Sequence, residues 1–370
     1  MQIQVREDVA LIDQIVLNNI EIVHIADITQ LIKRNIIEIS TNTMQYTMAD
    51  GQEFTRLIIK KDGVIDYMTA GAMYKPYQKI NYCNITLSVK DSSSGNLCCY
   101  TIDEYRQKLK EIQTHLQNTY GIETNIAKVT IKEIEVNKTF ALAHPYEDYH
   151  RVIKLIMHNL PAELHIQMYC MDNSKEKIKP GTCYAKSSKT EKSDRHTTLK
   201  IYDKSSSLSA KLNIILDTSY MRVEIRLIGT KRVKNALTTN KLSAITDDMI
   251  NTCYQRLIKR YIYNPHNKWL QERNKNLLNI MKQQRDKDIR HWQVNLLRYL
   301  TNKEIADTYP TLLDVCELFP LLERLPITPK RRYEIRTNFK RHAAKYETVF
   351  HNRDDLKLAE ILEKLGKPTS

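Results

Sequence analysis

The sequence predicts an α+β fold, an antiparallel sheet with helices packed on one face, followed by an all-helical basic C-terminal domain. Three observations predict it. Short runs of alternating apolar and polar residues fill the first two thirds of the chain, the two-residue period of half-buried strands. Helical stretches interrupt them, near 101–117 and from Pro145 onward. Past about residue 240 the alternation ceases and apolar residues recur at helical spacing. At 370 residues the chain is too long for one typical core, so two domains are expected, 1–238 and 239–370.

The elements follow in order. Residues 11–17 read as a strand, and 25–39 fit a short helix followed by a strand. Residues 54–59 and 64–68 flank Lys61-Asp62-Gly63, a hairpin signal. Residues 85–89 alternate, 91–96 form a polar turn cluster and 97–100 return, giving a second and clearer hairpin. Thr101 with Glu104 has capping-box spacing, opening a helix that runs to about Gln117. Between 126 and 136, Ala127, Val129 and Ile131 hold one register while Ile134 and Val136 hold the other, which implies a bulge or a break. A helix from Pro145 and Tyr146, a strand over 162–170, and a long basic loop over 171–197 broken by a short strand at 182–185 come next. Beyond 240, Thr246 starts a helix, and 269–281, 290–300, 312–319 and 333–349 are further helical stretches.

Residues 198–228 are the most informative. Two strands are expected, joined by a polar, partly helical connection. On the second, Met221, Val223, Ile225 and Leu227 share one face while Arg222, Glu224 and Arg226 share the other. On the first, Lys200 and Tyr202 oppose Leu199 and Ile201. If the strands are neighbours, one surface carries a phenol, an ammonium, a carboxylate and two guanidiniums. That set suits attack on a phosphodiester, and it equally suits a half-solvated sheet face laced with salt bridges.

Composition narrows the partners. Lys and Arg number 57 against 43 Asp and Glu, a net charge of +14 that favours a polyanion, nucleic acid before membrane. Residues 231–290 hold 14 Lys and Arg against 5 Asp and Glu. Lys330, Arg331, Arg332 and Arg336, with Lys340 and Arg341, form a second cluster suited to phosphate contact. No apolar run is long enough for a membrane span, and the N-terminus lacks signal-peptide patterning. The seven cysteines show no zinc spacing and fit a reducing cytosol. No GxxxxGK[ST] or GxGxxG motif occurs.

Four stretches carry a resemblance. Ile12-Asp13-Gln14-Ile15 is similar to an opening "IDxI" strand, and Gly95-Asn96-Leu97 to a "GN" hairpin before a helix. Ile134-Glu135-Val136-Asn137-Lys138-Thr139-Phe140 looks like an "RIDxxxxF" strand, with Glu for the usual Asp. Thr198 through Lys204, followed by Arg222 through Leu227, looks like a "YDK…RxExRL" core. Their shared order, over about residues 10–235, resembles rolling-circle replication initiators, the Rep proteins of plasmids and integrative elements and the gene II/X-type proteins of filamentous phages.

The resemblance implies a tyrosine that attacks one DNA strand at an origin, single-stranded or in a hairpin, with a 3′-hydroxyl released for a polymerase. It implies Mg²⁺ or Mn²⁺ bound by carboxylates. Tyr202 is the leading nucleophile, with Tyr184 and Tyr220 on or beside the same elements. Lys204 and Arg226 would support the phosphate, and Glu135, Glu224 and His165 would hold the metal. His165-Ile166-Gln167 has the spacing of a His-hydrophobic-His motif but lacks its second His. The helical part would grip duplex or recruit a host helicase or polymerase. Rival expectations are a non-catalytic DNA-binding regulator on the same fold and, with less support, an RNA-binding module, for which no aromatic RNP-like segment is seen.

Overall fold

The computed structural model describes residues 5–25, 28–39, 55–59, 67–72, 83–89, 99–169, 182–187, 196–212, 216–306, 312–346 and 353–366. The first part runs β1 (Leu11–Ile25), α1 (Ile28–Lys33), β2 (Ile37–Ile39), β3 (Thr55–Ile59), β4 (Tyr67–Ala72), β5 (Cys83–Val89), α2 (Ile102–Tyr120), β6 (Ile122–Asn125), β7 (Thr130–Ala141), α3 (His150–His158), β8 (Leu164–Tyr169), β9 (Thr182–Ser187), β10 (His196–Asp203), α4 (Lys204–Leu212) and β11 (Tyr220–Ile228). Helices follow: α5 (Thr230–Leu237), α6 (Asp247–Ile258), α7 (Asn264–Lys287), α8 (Trp292–Ala306), α9 (Phe319–Leu322), α10 (Pro329–Ala343) and α11 (Asp354–Leu365). A π-helical step, Lys259–Tyr263, joins α6 to α7.

The strands form one sheet in the order β2-β3-β4-β5-β1-β7-β11-β10-β9-β8, with β6 paired to β1. Every pairing among the described residues is antiparallel. The expected α+β class is therefore observed. The capping box at Thr101 forms with Glu104 and the helix closes on Gly121 at φ 64; Thr246 caps α6 through Met249 N. β3 and β4 pair as the first expected hairpin, whose turn residues lie outside the described residues. The turn of the second expected hairpin, with Leu97 and Cys98, lies outside the described residues; at the end of its second arm, Tyr100 bridges Ile12 of β1.

Two bulges set the faces of the central strands. Val16 pairs with Glu133 and Leu17 with Ile131, so Lys132 is an extra residue on β7. This is the phase change visible between Ile131 and Ile134. Ile12 pairs with Val136 and Gln14 with Glu135, so Asp13 is the extra residue on β1.

One face of the sheet is apolar. Ile12, Ile15, Ile134, Val136, Leu199, Ile201, Val223, Ile225 and Leu227 pack there in one core with buried residues of α2, α3, α5, α6 and α11. Burying these side chains supplies most of the stabilisation, about 1.5–3 kcal/mol for each large one before conformational entropy is subtracted. Lys138, on this same face, reaches the end of α11 and donates to the Lys364 carbonyl at 3.2 Å. A second core gathers Leu277, Met281, Trp292, Leu296, Leu318, Ile335 and Phe339 from α7 to α10. Thus packing changes within α7, although composition changes near residue 240: α6 and α11 belong to the sheet. No helix among the described residues is long and apolar enough to cross a membrane.

Candidate active site

Paired residues on antiparallel neighbours share a face. Lys200 pairs with Glu224 and Tyr202 with Arg222; Glu224 pairs with Asn137, Arg226 with Glu135 and Arg222 with Thr139. The side of the sheet away from the main core therefore carries Lys200, Tyr202, Arg222, Glu224, Arg226, Glu133, Glu135, Asn137 and Thr139 together. The β1 bulge adds Asp13. The strands expected to be neighbours are neighbours, and their polar faces align.

Three carboxylates converge here. Asp13, Glu135 and Glu224 are all buried, and one oxygen from each lies within 4.8 Å of the others. Buried like charges need compensation. Arg222, with no exposed surface, donates to Asp13 Oδ1 at 3.1 Å and to Thr139 Oγ1 at 2.7 Å. Lys200 pairs with Glu224 and, at 3.7 Å, with Glu135. Arg226 pairs with Glu135 at 3.1 Å and Glu133 at 2.6 Å. Asn137 accepts from Thr139 at 3.2 Å and donates to the Leu11 carbonyl and the Cys99 sulfur, both at 3.3 Å. The Cys99 thiol, pushed up to about 11 chiefly by burial, donates to Asp13 at 3.6 Å.

The Tyr202 hydroxyl donates to Glu224 Oε2 at 3.3 Å. Burial pushes this phenol well above its ordinary pKa of 10.0; Arg222 opposes the shift and Glu224 adds to it. Burial first, then the Glu224 carboxylate, pushes the Glu135 carboxyl up to about 7, with Lys200 working the other way. Burial opposes the Lys200 charge, but Glu224 and Glu135 more than offset it and hold the ammonium above the usual lysine value.

Of the residues expected from sequence, Glu135, Glu224, Tyr202 and Arg226 come together. Tyr184, half-buried on β9, pairs with Lys200 and so lies on the same face, one strand further out. Lys204 is buried at the start of α4, where its charge acts on Cys99. His165 requires a correction. It is exposed on β8, with β9 and β10 lying between it and β11, and Asp13 takes the third position in the cluster. Asp13 was visible as the acid of the IDxI-like stretch, but not as a member of the carboxylate cluster; Arg222 was visible as part of the charged row, but not as the buried partner of Asp13. Lys330, Arg331, Arg332 and Arg336 all lie on α10, in the second core's helices.

Three oxygen donors at this spacing fit a hard divalent cation such as Mg²⁺ or Mn²⁺. The rim cations Lys200 and Arg226 have side chains 26% and 32% exposed, so they can swing outward as an ion enters, whereas Arg222 cannot. Proton linkage makes such binding pH-dependent. The folded Glu135 pKa lies above the ordinary carboxylate value, so in ion-free protein its ionisation costs stability as pH rises toward 7. A bound cation needs that carboxylate ionised and recovers the loss. Mn²⁺ is therefore expected to raise the melting temperature more at pH 8 than at pH 6, and Glu224→Gln to remove most of the rise at both. Equal shifts at the two pH values in differential scanning fluorimetry would contradict this.

No family model matches the chain, and no curated protein matches it. Among solved structures, a rolling circle replication initiator protein from Geobacillus stearothermophilus aligns at TM-score 0.33 and 12% identity, covering 69% of this chain and 85% of that one. The di-domain ARO/CYC BexL of the BE-7585A biosynthetic pathway aligns at TM-score 0.19 and 10% identity, covering 53% of this chain and 68% of that one. Likenesses of this size carry no argument, and the site stands on its own geometry.

Proposed function

We propose that the chain is a divalent-metal-dependent DNA-nicking and joining enzyme that initiates rolling-circle replication of a mobile element. One observation carries the reading. The three Rep-like stretches within the described residues, at 12–15, 134–140 and 198–204 with 222–227, fold onto adjacent strands, and each contributes one carboxylate to a single cluster, with a tyrosine hydroxyl donating into it. The fourth stretch, at 95–97, lies outside the described residues.

In this reading the Tyr202 oxygen bonds to phosphorus, the bond from phosphorus to the 3′-oxygen breaks, and that oxygen takes a proton. The 5′ end stays on the tyrosine, and the reverse step rejoins the strand. Glu224, already accepting from the phenol, is positioned to receive its proton. Arg226 and Lys200 lie on the half-exposed rim, where they can neutralise the phosphate. A bound Mg²⁺ or Mn²⁺ would supply Lewis-acid polarisation of the phosphate oxygens. The part through residue 238 holds the chemistry, and the helical part from 239 grips duplex or recruits a host helicase or polymerase. A bacterial cytoplasm is the setting this reading implies.

Two second readings have specific support. The raised pKa of Tyr202 favours Tyr184 as the nucleophile, with Tyr202 positioning Glu224. Moreover, each cluster carboxylate already has a cationic partner, as a regulator that keeps the fold without catalysis would require. The test is a covalent-adduct assay with Mn²⁺ and pooled single-stranded oligonucleotides from the element's own DNA, run on a denaturing gel with peptide mapping. An adduct on Tyr202 supports the proposal, and one on Tyr184 moves the nucleophile within the same site. No adduct from protein that binds DNA turns the assignment to the regulator.

A further inference from the structure

The helix α10 carries seven lysine and arginine side chains and one acidic one between Pro329 and Lys345, counting the turn that follows it. These charges fall into two sets. Arg332 and Arg336 both bond to Glu323, just beyond α9, and Arg336 and Lys340 lie 5.8 and 5.7 Å from the Phe319 ring centre. They fasten the helix to its neighbour. Ile335, Phe339 and Ala343 are buried in the second core, where Trp292 meets Phe339 edge-on at 5.7 Å.

The opposite face is otherwise constructed. At 100° per residue, Lys330, Thr337 and Arg341 lie directly opposite Phe339, with Tyr333 on one flank and Glu334 on the other. Lys330, Tyr333, Thr337, Arg341, Ala344 and Lys345 are all exposed. Tyr333 is 73% exposed, an aromatic ring left in water between basic side chains. The helix starts at a Thr328 cap and Pro329, so its positive dipole end lies on the same side as Lys330 and Arg331.

We propose that this outward stripe, Lys330–Tyr333–Thr337–Arg341, enters the major groove of duplex DNA and reads base edges. The proposal rests on the reading that the chain acts on DNA, and it assigns sequence choice to a surface distinct from the acidic cluster. Charge complementarity names the partner, and shape restricts it. B-form DNA admits a helix in its major groove, whereas the deep, narrow major groove of A-form RNA does not. Lysine and arginine pair with guanine, threonine and the tyrosine ring contact thymine methyls or either base edge, and Arg331 at the margin meets phosphate. From Lys330 to Arg341 the stripe is about 16 Å long, so each copy reads roughly 4–5 base pairs. Arg332 and Arg336, held by Glu323, position the helix and do not read bases.

The test is selection from a library of 40-bp duplexes with a randomised 20-bp centre, using full-length protein. The wild type is expected to enrich a motif containing a core of about 4–5 base pairs. Tyr333→Ala and Arg341→Ala are each expected to lose at least ~10-fold in affinity for the enriched duplex, with a smaller loss on unselected duplex. Circular dichroism checks that both variants fold; their side chains are exposed, so substitution leaves the core intact. Three outcomes overturn the proposal: no enriched motif, variants that select the same motif with unchanged affinity, or equal competition by duplex RNA. The adduct assay on single-stranded DNA separates the two claims. A motif lost in the variants without any adduct keeps the surface and removes the nicking reading, while an adduct without a motif does the reverse.

Discussion

Tyr202→Phe is expected to abolish covalent capture of a nicked strand, by at least ~10³-fold, while leaving DNA binding within about threefold of the wild type. The substitution removes the attacking oxygen and its hydrogen bond to Glu224, and leaves the ring in place between β9 and β11. Stability should change little, because one hydrogen bond is worth about 1 kcal/mol. The check is the denaturing-gel adduct assay alongside a gel-shift measurement on the same oligonucleotide. Retention of full adduct by Tyr202→Phe, with loss in Tyr184→Phe, would make the outer phenol the nucleophile. The pH profile adds an independent readout. The Tyr202 phenol stays protonated well above neutrality, so attack requires the proton to leave in the same step, and at limiting Mn²⁺ the rate should rise with pH because the raised Glu135 carboxyl must ionise before the ion binds.

How far the sequence exposes this site depends on which interaction fixes each residue. Local signals are written out in full. Thr101 and Glu104 form their capping box, Thr246 caps its helix, and the shift of apolar phase between Ile131 and Ile134 marks the Lys132 bulge. The shared face of Lys200, Tyr202, Glu224 and Arg226 is legible because a two-residue period leaves each strand one choice of face once the other is buried. The third carboxylate is different. Asp13 reaches the cluster because β1 carries an extra residue against β7, and that register is set by a partner more than 100 residues away. His165 shows the reverse error. Its spacing on β8 imitates a ligand motif, but the sheet order places two strands between it and Glu224. Sequence spacing gives the face of a strand and not the strand's place in the sheet. The return of α11 to the sheet is equally non-local, since it rests on Glu360 bonding Tyr149 and on Lys364 pairing with Glu7 at 2.7 Å.

Arg222→Met is expected to cost about 3–5 kcal/mol at neutral pH, a large part of the stability of an ordinary domain. Arg222 has no exposed surface, and its removal leaves Asp13 buried beside Glu135 and Glu224 without its guanidinium. The Coulomb gain of the native pair does not by itself set this figure. Most of it is the penalty of a buried carboxylate that has lost its guanidinium, and that penalty can be relieved by a proton. An Asp13 with its pKa raised in the variant binds a proton that the unfolded chain has released, so the deficit should grow as pH rises from 5 to 8 and shrink on acidification. Removing the charge by substitution should work as well. Asp13→Asn combined with Arg222→Met is expected to recover more than half of the lost stability, because the pair is then replaced by neutral groups. The same double variant should bind Mn²⁺ at least ~10-fold more weakly than the wild type, since one of three carboxylate donors is gone. Urea melts at pH 5 and pH 8, with and without Mn²⁺, measure all of these terms. A double variant that is stable yet binds Mn²⁺ as the wild type does would remove Asp13 from the site; one as unstable as Arg222→Met would show that Arg222 serves packing and the Thr139 hydroxyl rather than the acidic cluster. In the expected case the arginine is kept for the carboxylate's position and charge, and the cost of burying both is the cost of having a third ligand at the centre of the sheet.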